Sequence, residues 1–234
     1  MVDPLTCLPE ELRKEEVLTY DTEKHDMRGI LQKIFGTERL DVLHEQEEGC
    51  TEAGYVSFSN DQGTAFHKRF YASPHFPAFL ECYTAFVKDV IAPMFAAYGE
   101  EEIVYQTRPT FRVSLPNNVA VGQKHRDYDY QHPAGEVNFW LPFTPAHDSS
   151  GFYTESEPEK GDFHPFPRTL DCGDMFRFWG NQCWHYNEPN ATGKTRASID
   201  FRVIPRSVFV GRQEEAVKSK LKFDIGGYYS VCHV

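Results

Sequence analysis

His125 and Asp127 stand one residue apart, a separate His185 follows, and Arg196 and Ser198 come after it. Two imidazoles and one carboxylate bind one face of a ferrous ion and leave the other face open for substrate chemistry. Arg196 lies eleven residues beyond His185, and a guanidinium fork suits a carboxylate because it grips two oxygens at once. The Ser198 hydroxyl adds a further donor. The order His-x-Asp, His, Arg-x-Ser therefore points to an iron enzyme that consumes an organic acid, ideally a dicarboxylic keto acid with one end on the metal and the other on Arg196.

The chain has ten histidines, and a His-x-Asp triplet alone arises by chance. His25, His44 and His67 sit in polar stretches and read as solvated. His75 falls in the first turn of a helix, and His132, His147 and His164 in loop-like, proline-flanked sequence. None has a partner at ligand spacing. Two other readings stay open on the residues alone. A zinc hydrolase would use the same three ligands to activate water, but would leave Arg196 and Ser198 unexplained. A non-catalytic jelly-roll binding protein would keep the fold without the chemistry.

These side chains need strands to present them. On a strand, residues i and i+2 share a face, which would aim His125 and Asp127 at one point. His185 must come from another strand. The stretch 187–194 is rich in Asn, Pro and Gly and predicts a turn, after which a return strand would pair Arg196 back toward His185. Alternation then sets Arg196, Ser198 and Asp200 on one face and Ala197, Ile199 and Phe201 on the other. Asn138, a polar amide among Val137, Phe139, Trp140 and Leu141, needs a partner: the keto acid or substrate, or neighbouring backbone. Arg112 in Phe111–Ser114 either faces an anionic group in a pocket or pairs with an acidic side chain. Gln123, Tyr128 and Tyr130 flank the ligands, and Tyr228 and Tyr229 in the tail are further candidates for a substrate wall. Trp184 and Tyr186, pointing away from His185, suit packing, and Asn181 suits a turn.

The rest of the chain supports a folded globule. Its 234 residues are enough for one core, and 40% apolar with 15% aromatic residues, including 19 Phe and 12 Tyr, argues against disorder. Helical signals dominate residues 1–100. A charged segment runs from Pro9 to about Tyr20. Asp21 or Thr22 would cap a second helix through Met27, Ile30, Leu31 and Ile34, ended by Gly36. A third opens at Ser73-Pro74 and carries an apolar stripe from Phe76 to Phe95, stopping at Gly99. From about residue 101, short β-rich runs broken by Pro, Gly and Asn indicate a sandwich or jelly roll. The expected organisation is a single domain, 1–234, mostly β with buttressing helices. Residues 1–100 pack on a jelly-roll core at 101–206, and a tail at 207–234 folds over a cavity mouth. A net charge of −11 disfavours nucleic acid as a partner. Six widely spaced cysteines without a CxxC pair indicate neither a zinc knuckle nor a disulfide scaffold. Without a signal peptide or an apolar span, the expectation is an intracellular, cytoplasmic protein that acts on a small molecule, away from membranes.

The motif order resembles the Fe(II)/2-oxoglutarate-dependent dioxygenases. Four longer runs, 136–144, 155–163, 180–185 and 190–204, resemble the streptomycin-biosynthesis-type branch. The resemblance spans roughly residues 105–230 and implies a double-stranded β-helix, a cupin-like jelly roll. It assigns His125, Asp127 and His185 to Fe(II), and Arg196 with Ser198 to 2-oxoglutarate. It also implies oxidation of a small polar metabolite while 2-oxoglutarate and O2 become succinate and carbon dioxide, with ascorbate as reductant in vitro. Halogenating members lack the carboxylate, so Asp127 points to hydroxylation, desaturation or ring closure. Residues 1–100 carry no matching motif.

Overall fold

The computed structural model describes residues 3–57, 59–121, 123–216 and 220–234; within the tail, 217–219 lie outside it. The chain opens with a short helix α1 (Glu10–Arg13) and an edge strand β1 (Glu16–Thr19), then helices α2 (Met27–Phe35), α3 (Ala65–Ala72), α4 (Phe76–Phe86) and α5 (Ala92–Ala96). Strands follow: β2 (Glu102–Gln106), β3 (Thr110–Ser114), β4 (Val137–Pro142), β5 (Tyr153–Thr154), β6 (Asp174–Phe178), β7 (His185–Tyr186), β8 (Arg196–Pro205) and β9 (Tyr229–His233). Among the described residues, no helix is long and apolar enough to cross a membrane.

The spine of the large sheet is β8. One edge pairs with β4, and the other pairs first with β3 and then with β2, all antiparallel. The sheet runs β1-β6-β4-β8-β2-β9, and β5 and β7 form a small second sheet that faces it. This mostly antiparallel, two-layer arrangement with helices on one side is a jelly roll.

Alternation along β8 decides what each face does. Ala197, Ile199, Phe201 and Val203 belong to the main apolar core. The Phe201 ring meets Tyr83 and Phe86 of α4 and stacks on Phe139. Arg196, Ser198, Asp200 and Arg202 alternate with them onto the opposite face and are also buried. One strand thus carries an apolar face that holds the helices and a charged face that lines the site.

The helix stripe from Phe76 to Phe95 forms as the period predicts, but with a widened π turn at Val87–Ile91. Pro93 lacks an N–H and cannot bond back to the carbonyl four residues earlier, so the turn loosens there. Asp26, rather than Asp21 or Thr22, caps α2 by accepting from the Gly29 N–H at 2.8 Å, and Gly36 closes it in the left-handed conformation at φ 63°. The segment expected to be helical up to Tyr20 is helical only at α1. Val17 and Leu18 then face the two apolar clusters on opposite sides of β1, an alternation that a helix cannot provide.

Candidate metal and keto-acid site

His125 and Asp127 do not share a regular strand. His125 makes an isolated antiparallel bridge with His185, and Asp127 opens a 3-10 turn, Asp127–Tyr130. The Asp127 N–H donates to Gly180 O at 3.0 Å, which fixes the backbone without a ladder. Nor does 187–194 close a hairpin: His185 pairs with Thr154 in the small sheet, while Arg196 pairs with Ser114 in the large one. The connection crosses between layers, and the site lies between them.

The convergence is nonetheless tight. Asp127 Oδ1 lies 3.6 Å from His125 Nε2 and 3.9 Å from His185 Nε2. Backbone carbonyls fix both tautomers: His125 Nδ1 sits 2.8 Å from Gln123 O, and His185 Nδ1 3.1 Å from Cys183 O. Each Nδ1–H donates outward, so each Nε2 turns a lone pair inward. Burial, then the adjacent His125, pushes His185 down to about 4, leaving a neutral, ligating imidazole near neutral pH. Burial would raise the Asp127 carboxyl, but the Arg202 guanidinium and the neighbouring imidazoles override it and hold the carboxyl well below the usual range. Two imidazole nitrogens and an ionised carboxylate are a donor set that fits ferrous iron.

Arg196 is fully buried. Its Nε donates to Ser150 O at 2.8 Å and its Nη1 to Ser198 Oγ at 2.7 Å. No carboxylate among the described residues forms an ion pair with it. Burial, then the Arg112 charge, pushes its guanidinium below the usual range to about 9. A buried cation without a counter-charge fits an anion brought from outside. Arg196 and His185 line the same small cavity, together with Asn138, Trp140, Phe178 and Arg202.

A second cavity of about 830 Å³ opens on the other side of His125 and Asp127. Phenol rings of Tyr71, Tyr130 and Tyr228 line it beside Gln106, Arg108 and Arg112. Tyr130 and Tyr228, two of the substrate-wall candidates, are thus among its lining. Gln123 contributes only its backbone carbonyl to His125, and its exposed side chain is not part of the lining. Tyr128 packs under Arg212. Tyr229 is buried and donates its hydroxyl to Glu136. Tyr186 stacks on Tyr153 and lines the small cavity rather than the core. Trp184 lies beside Lys124 and Arg126.

Asn138 donates to Asp127 Oδ2 at 2.6 Å, and its carbonyl oxygen is buried without a partner. Arg112 lines both cavities and donates to Asp200 Oδ1 at 2.7 Å. Sequence reasoning passed over two features. Arg202 continues the β8 alternation two residues past Asp200 and donates to Asp127 Oδ2 at 3.0 Å; the same spacing that selected Arg196 would have found it. His132 borders the large cavity with its Nδ1 held 3.0 Å from Glu136 Oε1, a pairing at helical spacing inside a loop that no pattern announces.

The chain is 32% identical over 219 residues to the streptomycin biosynthesis protein StrG of Streptomyces griseus, covering 91% of this chain and 96% of the relative. No family model matches it. Among solved structures, the non-heme alpha-ketoglutarate-dependent carbocyclase SnoK from nogalamycin biosynthesis is similar with a TM-score of 0.58 at 11% identity, over 96% of each chain. AviO1 from Streptomyces viridochromogenes Tue57 is similar at 0.50 and 14% identity, over 86% of this chain and 95% of that one. At such identities the structural likeness is one of fold.

Proposed function

Because this chain belongs to the streptomycin-biosynthesis-type branch of the Fe(II)/2-oxoglutarate-dependent oxygenases, we propose that it oxidises a small polar metabolite. The reaction is hydroxylation, or the related desaturation or ring closure, with 2-oxoglutarate and O2 as co-substrates. The observation that carries this reading is the uncompensated Arg196 guanidinium, buried in the same small cavity as His185.

His125 Nε2, Asp127 Oδ1 and His185 Nε2 are the atoms that would hold the metal. Ferrous iron supplies, when bound, the redox chemistry that couples O2 and the keto acid to oxidation of a substrate C–H bond. Arg196 and Ser198 bind the distal carboxylate of 2-oxoglutarate, with Trp140 and Phe178 excluding water around it. Arg112 and Arg202 stand between the two cavities and separate the keto acid from the substrate. The phenols and amides of the large cavity orient a polar substrate over His125 and Asp127, and its size suits a ligand larger than the keto acid.

The test is succinate release from 2-oxoglutarate across a panel of small polar metabolites, with Fe(II) and ascorbate present. Release that requires Fe(II) and rises with one substrate class is the expected result. Release independent of Fe(II), or hydrolysis of a panel member with Zn(II), would overturn the reading.

A further inference from the structure

Asp127 has two carboxylate oxygens, and the fold treats them differently. Oδ1 faces the two imidazoles at 3.6 and 3.9 Å. Oδ2 accepts from Asn138 Nδ2 at 2.6 Å and from Arg202 Nε at 3.0 Å. We propose that Asn138 and Arg202 are positioning residues that hold Asp127 as a one-oxygen ligand, keeping its second oxygen off the metal and the adjoining coordination position open for the keto acid. The inference rests on the functional reading above and assigns these two side chains a task within it.

The geometry is built in at three levels. Asn138 and Arg202 are direct register partners across β4 and β8, so the sheet itself fixes the separation of the two donors. The amide cannot be reversed, because its carbonyl oxygen would then oppose Oδ2 at hydrogen-bond distance. Gly180 leaves room for that amide: a Cβ there would fall 2.9 Å from Asn138 Nδ2 and 2.6 Å from the Phe178 ring. The Gly180 carbonyl also accepts the Asp127 N–H, so the carboxylate is held from its backbone and from its far oxygen at once.

Arg202 is locked in turn. Its Nη1 donates to Asp200 Oδ2, and Asp200 Oδ1 accepts from Arg112 Nε at 2.7 Å. Asp127, Arg202, Asp200 and Arg112 thus alternate in charge through a buried chain, and every member has an opposite neighbour. A carboxylate with a free second oxygen can chelate a divalent ion through both atoms. With Oδ2 already carrying two donors, chelation here would require both hydrogen bonds to break in a buried site, where each is costly to lose.

The test uses the full chain, Co(II) as the metal, and 2-oxoglutarate. Calorimetry measures Co(II) binding alone and then 2-oxoglutarate binding to the Co(II)-loaded protein, and the visible spectrum of Co(II) reports its ligand number. In Asn138→Leu and Arg202→Met, Co(II) affinity should stay within about threefold of the parent, while 2-oxoglutarate binds roughly tenfold or more weakly. The Co(II) spectrum without keto acid should change, reporting the added oxygen. Arg202→Lys, with one nitrogen where the guanidinium uses two, should share the keto-acid defect. Unchanged 2-oxoglutarate affinity in a folded variant overturns the proposal. So does an equal loss of Co(II) and keto-acid binding with an unaltered spectrum, the outcome of a merely structural role. Should Arg202→Met fail to fold, Asn138→Leu decides alone, since it leaves no charge unpaired. A parent chain that binds Co(II) but no 2-oxoglutarate would refute the functional reading itself, a result distinct from these.

Discussion

The His125 and His185 backbones exchange both hydrogen bonds of an antiparallel bridge, His125 N–H to His185 O at 3.1 Å and His185 N–H to His125 O at 2.9 Å. The bridge sets the two ring centroids 4.3 Å apart, so metal affinity is tied to the docking of the His125 segment on the small sheet. A divalent ion such as Ni(II) should therefore raise the melting temperature of the parent chain, equivalent to about 2.7 kcal/mol at a hundred times its Kd. His185→Ala should abolish that rise and Fe(II)-dependent succinate release together. Full metal stabilisation in the variant would remove His185 from the ligand set.

Arg196 yields a prediction in which binding and stability part company. Replacing a buried bidentate cation removes charge-assisted bonds worth about 2–4 kcal/mol to a bound carboxylate. Arg196→Met should accordingly weaken 2-oxoglutarate binding roughly 30- to 1000-fold, read by calorimetry. The protein without ligand should not lose stability in thermal melts, because the guanidinium is buried with no paired carboxylate. A large drop in melting temperature with unchanged keto-acid affinity would make Arg196 a structural residue.

How much of this was legible in the sequence depends on where periodicity lives. The ten-residue β8 displays both of its faces, so Arg196, Ser198 and Asp200 separate from Ala197, Ile199 and Phe201 by counting alone, and the stripe of α4 is equally plain. Strands of two residues, β5 and β7, have no period to read, so the hairpin expected between His185 and Arg196 was the default choice, and the crossing between sheets was invisible. Asp127 reached the site from a 3-10 turn, where i and i+2 carry no fixed relation. The contacts of Arg202 with Asp127 and of Glu136 with Tyr229 span 75 and 93 positions, and long-range pairing of buried polar groups leaves no local mark.

Acid should destabilise the ligand-free protein through its buried histidines. His67 is pushed down to about 4, first by burial and then by the Arg112 charge, and His185 falls to a similar value. In the unfolded chain a histidine titrates near 6.5. Between about 6.5 and 4 these two groups bind more protons in the unfolded state, so their contribution to stability falls as pH is lowered through that window and is constant above it. Each group contributes roughly 3 kcal/mol across the window. His67→Phe, which keeps a ring against Phe111, should lessen the loss of stability on acidification by up to about 3 kcal/mol between pH 6.5 and 4, read by denaturant titrations. A slope identical to the parent's would show that folding does not shift the His67 pKa.

Phe201 separates fold from site. Its ring centroid lies 5.2 Å from Tyr83 and 5.4 Å from Phe139, whereas Arg202 beside it donates to the metal ligand Asp127 and is held by Asp200. Phe201→Ala should cost about 3–5 kcal/mol in chemical denaturation. Below the transition, Ni(II) binding should change by less than about threefold. A loss of metal binding without a loss of stability would mean that the two faces of β8 are not independent.

Tyr228 bears on coupling rather than on binding of the keto acid. It lines the large cavity but not the small one, and its ring packs against His132 and Phe223. Removing it opens the substrate side while leaving Arg196 and the three ligands in place. Once a substrate is identified, Tyr228→Ala should raise its KM by roughly tenfold, the size of one lost aromatic contact. The 2-oxoglutarate KM should move little. With the substrate less tightly held, succinate formed per molecule of product should also rise, since the keto acid is then consumed without productive oxidation. Parallel measurement of succinate and oxidised product distinguishes this from a general loss of activity: if both fall in proportion and the 2-oxoglutarate KM rises with them, Tyr228 supports the whole site instead of its substrate wall.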